Sequence, residues 1–171
     1  MLRSHVAAAG HSARFGIRSG ELDYRGGIVH VVAFAPSLKA DMNDAGGVDT
    51  QGFPMTSATV ESFPAQIVIP VVLAVYTQGG TDYDPERFIV ARSSRGEEVG
   101  LLQWRWHWPD TPGSPVKFRV FAHLLTLRLP SPGVYTIGLY ESRDDTETSH
   151  TFPMPVHKAD PFRVRGSLPL T

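Results

Sequence analysis

Apolar and polar side chains alternate with a period of two through most of the chain between Ile28 and Val156. Ile67, Ile69, Val71, Leu73 and Val75 share one parity within Gln66 to Tyr76, and Leu125, Leu127 and Leu129 share one further on. That period sends successive side chains to opposite faces, so each run reads as a strand with one buried face. No stretch sustains a 3.6-residue apolar period. Turn residues separate the runs: Asn43-Asp44-Ala45-Gly46-Gly47, Gly79-Gly80, Ser93-Ser94-Arg95-Gly96 and Pro130-Ser131-Pro132-Gly133. The predicted strands are Ile28 to Ala35, Val48 to Phe53, Thr56 to Val60, Gln66 to Tyr76, Glu86 to Arg92, Glu98 to Trp108, Val116 to Leu129, Val134 to Glu141 and Ser149 to Val156. About nine strands at this spacing predict an antiparallel β-sandwich, immunoglobulin-like or C2-like.

The prolines argue in the same direction. Fourteen are spread from Pro36 onward. A proline inside a helix costs about 3 kcal/mol, so the all-β fold has little or no helix. Two irregularities are expected within strands. Phe118, Val120 and Ala122 have one parity and Leu125 to Leu129 the other, which predicts a β-bulge or a change of sheet near residues 121 to 124. Pro70 inside an apolar run predicts a break or an edge position.

The segment Leu127 to Tyr140 joins two apolar runs through Pro130-Ser131-Pro132-Gly133, with Tyr135 two residues after the glycine. Immunoglobulin-like sandwiches enter a late strand this way, with a tyrosine hydroxyl tied back to nearby backbone. Pro132, Gly133 and Tyr135 are therefore the expected structural corner.

Three regions follow. Residues 1–27 lack the pattern and read as a flexible N-terminal tail, with a targeting segment or an overlong gene start as alternatives. Residues 28–157 form the β-sandwich domain. Residues 158–171 read as a C-terminal tail or strap.

The chain has 171 residues, 42% of them hydrophobic and 19% charged, enough for one domain with a sizeable core. A net charge of -1 provides no field for nucleic acid, which is not expected as a partner. The absence of cysteine excludes disulfides, thiolate metal sites and a cysteine nucleophile, and fits a cytoplasmic location. No run reaches the ~18 uncharged apolar residues of a membrane span.

All three tryptophans fall in Trp104-Arg105-Trp106-His107-Trp108, at i, i+2 and i+4. On a strand they share a face, about 7 Å apart. Exposed, they would form a stripe for stacking sugar rings or another small ligand. Buried, Leu102, Trp104 and Trp106 would fill the core with Trp108 at its rim, the stronger reading because sandwich cores commonly use large aromatics. A third reading is a patch covered by a partner or a second copy.

Asp82 and Asp84 lie in one inter-strand loop, and Asp144 and Asp145 in another. C2 domains gather calcium ligands from such loops, so a calcium- or lipid-dependent module is an alternative. Solvated loops have the same composition, and no EF-hand spacing occurs. The seven histidines form no ligand spacing, although His107 and His123 could be neighbours. There is no G-x-S-x-G, P-loop or G-x-G-x-x-G, and no specific carboxylate pair stands out. No catalytic residue and no cofactor is assigned.

The core resembles a family of small uncharacterised bacterial domains of unknown function. The likeness is in layout: Leu38-Lys39-Ala40-Asp41 after the first strand, Gly46-Gly47-Val48, Ser62-Phe63-Pro64-Ala65 before the very apolar Ile67 to Val75, and the Leu-Pro-x-Pro-Gly-x-Tyr corner. It implies an immunoglobulin-like or C2-like fold and carries over no site residues. The expected function is a non-enzymatic module acting through protein–protein contact, with a protein partner or as a homo-oligomer.

Overall fold

The computed structural model describes residues 28–79 and 82–160. The predicted tail at 1–27 lies outside these residues, as do Thr81 of the first acidic loop and the predicted strap beyond Asp160. The described residues contain no helix and form ten strands. They are β1 (His30–Pro36), β2 (Lys39–Met42), β3 (Val48–Gln51), β4 (Ala58–Val60) and β5 (Ala65–Gln78), followed by β6 (Glu86–Arg92), β7 (Glu98–Arg105), β8 (Val116–Leu129), β9 (Gly133–Tyr140) and β10 (Thr151–Lys158). The strand missing from the sequence reading is β2. It pairs with β3 as a polar two-stranded ribbon, so it carries no alternation to detect.

The larger sheets run β1-β5-β8 and β4-β10-β9-β6-β7. All pairings are antiparallel except β4 with β10, which is parallel. One core lies between the two sheets. Ile69, Val71, Leu73 and Val75 of β5 and Leu125, Leu127 and Leu129 of β8 meet Ile89 and Ala91 of β6, Ile137 and Leu139 of β9, and Met154 and Val156 of β10. Each such burial contributes about 1.5–3 kcal/mol, so this double layer dominates stability. At one margin β7 comes close to β8: a Cβ on Gly100 would lie 2.6 Å from the Thr126 carbonyl oxygen.

Two expectations about strand geometry are corrected. The β5–β8 register is unbroken from Ala65↔Leu129 to Gln78↔Val116, so β8 neither bulges nor changes sheet. Lys117 and Arg119 take the inward parity instead, with Phe121 and His123. They are tolerated there because segment 106–115 crosses this end and provides carbonyls. Lys117 Nζ donates to Pro109 O at 3.1 Å, and Arg119 Nη2 donates to His107 O at 3.1 Å. Phe118, Val120 and Ala122 consequently face outward. The register shifts lie elsewhere, at Val31/Ala33 in β1 and Ala91/Arg92 in β6.

Pro70 sits in the central strand of its sheet, without a break. In an antiparallel strand a residue's N–H and C=O point to the same side. The Pro70 carbonyl accepts from Ser37 N, beyond the end of β1, so the missing N–H removes no bond to β8.

Candidate functional site

The tryptophan stripe faces inward. Strand β7 ends at Arg105, but the extended path continues by bonding to the β5–β6 link. Trp106 N donates to Pro85 O, and Tyr83 and Trp108 exchange two backbone bonds. Trp104 is half-buried and Trp106 buried, and Trp108 is only 1% exposed. The indoles contact one another in series, with ring centres 5.9 Å apart for Trp104–Trp106 and 6.1 Å for Trp106–Trp108. Phe121 packs 5.1 Å from Trp106, and His123 lies 4.7 Å from Trp104. The three indole N–H groups and His123 Nε2 have no hydrogen-bond partner among the described residues. Burial in this aromatic cage lowers the His123 pKa below the ordinary histidine value. His107 points away from His123, and Asp84 Oδ1 accepts from His107 Nδ1 at 2.7 Å.

The acidic residues separate into two groups. Asp82 and Asp84 flank His107, with Asp82 Oδ1 3.7 Å from Nδ1. Asp144 and Asp145 belong to a turn after β9, where Asp145 Oδ2 accepts from Ser142 N. The Asp145 carbonyl also accepts from Arg92, whose guanidinium lies 4.7 Å above the Tyr140 ring. Among the described residues, no group of three or more His, Asp or Glu side chains is disposed to hold a metal ion. Nearby, Arg87 pairs with Glu141 at 3.0 Å on the wall of a cleft of about 260 Å³. Its charge is thus already matched at the cleft.

The corner places its residues together. Tyr135 is buried, and its hydroxyl donates to Ser131 O at 2.6 Å. Pro132 and Gly133 carry the chain between the two sheets.

The feature missed by the sequence reading is the outer face of the β1–β5–β8 sheet. Residues paired across an antiparallel ladder share a face. His30, Tyr76 and Phe118 therefore form a row across the three strands. His30 stacks on Tyr76 at 4.6 Å, and Tyr76 lies 5.4 Å from Phe118. Phe118 is 66% exposed and Leu124 65%. Of the ten large apolar side chains left exposed among the described residues, all but Phe53 and Val134 belong to the β1-to-β2 segment from Ile28, to β5 or to β8. The signal was present in Phe118, Val120 and Ala122 opposed to Lys117 and Arg119. Read with the rule that the apolar side of a strand faces inward, it predicts a bulge instead.

No protein-family model and no curated protein matches the chain. Among solved structures, it is similar to a β-glucosidase from Listeria innocua in complex with isofagomine, at 7% identity and a TM-score of 0.42. The likeness covers 77% of this chain and 16% of that one. A β-D-glucoside glucohydrolase from Trichoderma reesei is similar at 11% identity and a TM-score of 0.42, over 76% of this chain and 19% of that one. The chain thus spans less than a fifth of these enzymes. Among the described residues, no helix is long and apolar enough to cross a membrane.

Proposed function

We propose that the chain is an immunoglobulin-like β-sandwich that works without catalysis, by protein–protein contact through the outer face of its three-stranded sheet. The carrying observation is that Val68, Val116, Phe118 and Leu124 all lie exposed on that face. Monomeric proteins rarely expose contiguous apolar patches beyond a few hundred Å², and larger ones mark binding surfaces. The two sheets around one core and the Tyr135 corner support the sandwich type. A sugar platform gains no support from the tryptophans, since Trp106 and Trp108 are buried. The calcium alternative gains no shared ligand set from the two acidic loops.

Site-specific photo-cross-linking tests this reading. A benzophenone side chain at Phe118 of the full chain should give a covalent adduct with a polypeptide in cells, and the same probe at the exposed Thr136 of β9 should not. An absence of any adduct specific to position 118 would overturn the proposal.

A further inference from the structure

The outer side of the five-stranded sheet, away from the contact face above, holds an arginine stacked on a tyrosine. Arg92 of β6 and Thr136 of β9 are paired and share this face. Gly138 and Tyr140 follow Thr136 at steps of two, and Thr151 of β10 pairs with Gly138, so these residues share it too. The Tyr140 ring leans back over Gly138, where a Cβ would lie 2.5 Å from its hydroxyl oxygen. Arg92 lays its guanidinium 4.7 Å above that ring, and the Asp145 carbonyl oxygen accepts from Nη2 at 3.1 Å. Together they wall a hollow of about 620 Å³, which Ser93, Thr136, Glu147 and Thr151 also line.

Charge at this hollow is unbalanced. Arg87, Arg105 and Arg143 each hold a carboxylate oxygen at 3.0 to 3.3 Å. Half-buried Arg92 pairs with no carboxylate among the described residues, and its Nη1 is buried without a hydrogen-bond partner. A ring face and one carbonyl offset only part of the cost of taking a cation out of water. An orphaned group of this kind calls for a partner from outside the chain.

We propose that the hollow binds a small polyhydroxy carboxylate, with its carboxylate against the Arg92 guanidinium. The charge balance selects this class. Among the described lining residues Arg92 is the one cation, and Glu147 is a carboxylate, so a singly charged anion fits and a doubly charged phosphate does not. Guanidinium and carboxylate also match in shape and hydrogen bonding. The Ser93, Thr136 and Thr151 hydroxyls, each donor and acceptor, suit a ligand that carries hydroxyl groups of its own. This site lies on a different sheet from the contact face and stands independently of it.

The test is a titration of the full, nitrogen-15-labelled chain with gluconate, followed by amide chemical shifts. Sorbitol is the control, because it has the same carbon chain without the carboxylate. Gluconate should give saturable shifts centred on Arg92, Thr136 and Tyr140, and sorbitol should give none. Arg92→Gln should weaken gluconate binding about tenfold or more, the effect of losing a charge-assisted bond. Arg95→Gln, at an exposed arginine outside the hollow, should bind as the wild type does. No saturable shift with gluconate would overturn the proposal, as would equal shifts with sorbitol, shifts centred elsewhere, or undiminished binding by Arg92→Gln. Tighter binding of inorganic phosphate at the same amides would overturn the carboxylate class. The shift map of the wild type decides the matter even where Arg92→Gln does not fold.

Discussion

The Tyr135 hydroxyl donates to the Ser131 carbonyl oxygen at 2.6 Å, across the turn that carries the chain from β8 to β9. Tyr135 is 2% exposed, whereas Ser131 is exposed at the turn. A net hydrogen bond contributes about 1 kcal/mol. Tyr135→Phe should therefore lower stability by about 1 kcal/mol, a fall of about 4 °C in Tm for a domain of this size. Thermal melts of the two proteins check this, and coincident melts would reject the corner as a stabilising element.

The tryptophan cluster predicts a spectroscopic signature. Trp106 and Trp108 are buried and Trp104 is half-buried, so emission should be blue-shifted and iodide should quench only a minor part of it. Trp108→Ala should cost about 3–5 kcal/mol, the range for truncating a buried large aromatic. Red-shifted emission that iodide quenches fully, or an unchanged stability in Trp108→Ala, would move the indoles to the surface.

Where one face was buried and the other solvated, the strands were legible in the chain. Glu86–Arg92 and Val116–Leu129 have the bounds read from alternation and turns alone. The tyrosine corner was legible too, because it depends on local spacing. Strand β2 was not, since Lys39 to Met42 pair only with another polar strand. The outward face of β8 was misread for a physical reason. Alternation reports two chemically different faces but not which one is inside. Lys117 and Arg119 could take the inner parity only because residues 107 and 109 offer carbonyls, a long-range fact that alternation does not encode. The exposed ridge depends on register between β1, β5 and β8, so His30, Tyr76 and Phe118 meet only after folding.

Gly100 measures how closely β7 and β8 approach. A methyl group there would lie 2.6 Å from Thr126 O and 2.8 Å from Leu127 Cδ2, and the first is backbone that cannot swing away. Alanine usually gains about 0.5–1 kcal/mol over glycine within a strand. Overpacking costs about 1–3 kcal/mol, so the clash should prevail. Gly100→Ala should lower the urea midpoint without changing the slope of the transition. A raised midpoint would show that the two strands stand further apart.

His123 gives the fold a pH dependence with a definite sign. Burial against Trp104 and Phe121 disfavours the imidazolium, so the native pKa lies below the unfolded value of about 6.5. Between those two values the unfolded chain binds more protons than the native one, so stability rises with pH there. The contribution is fully present above about pH 6.5 and is lost as the pH falls through the native pKa. Other groups titrate as well, so the comparison must isolate this one. His123→Gln retains a neutral polar side chain and removes the titration. Between about pH 8 and pH 5, the Tm of the wild type should fall further than that of the variant. Parallel Tm curves would mean that the imidazole titrates equally in both states, and would place His123 in contact with solvent rather than inside the aromatic cage.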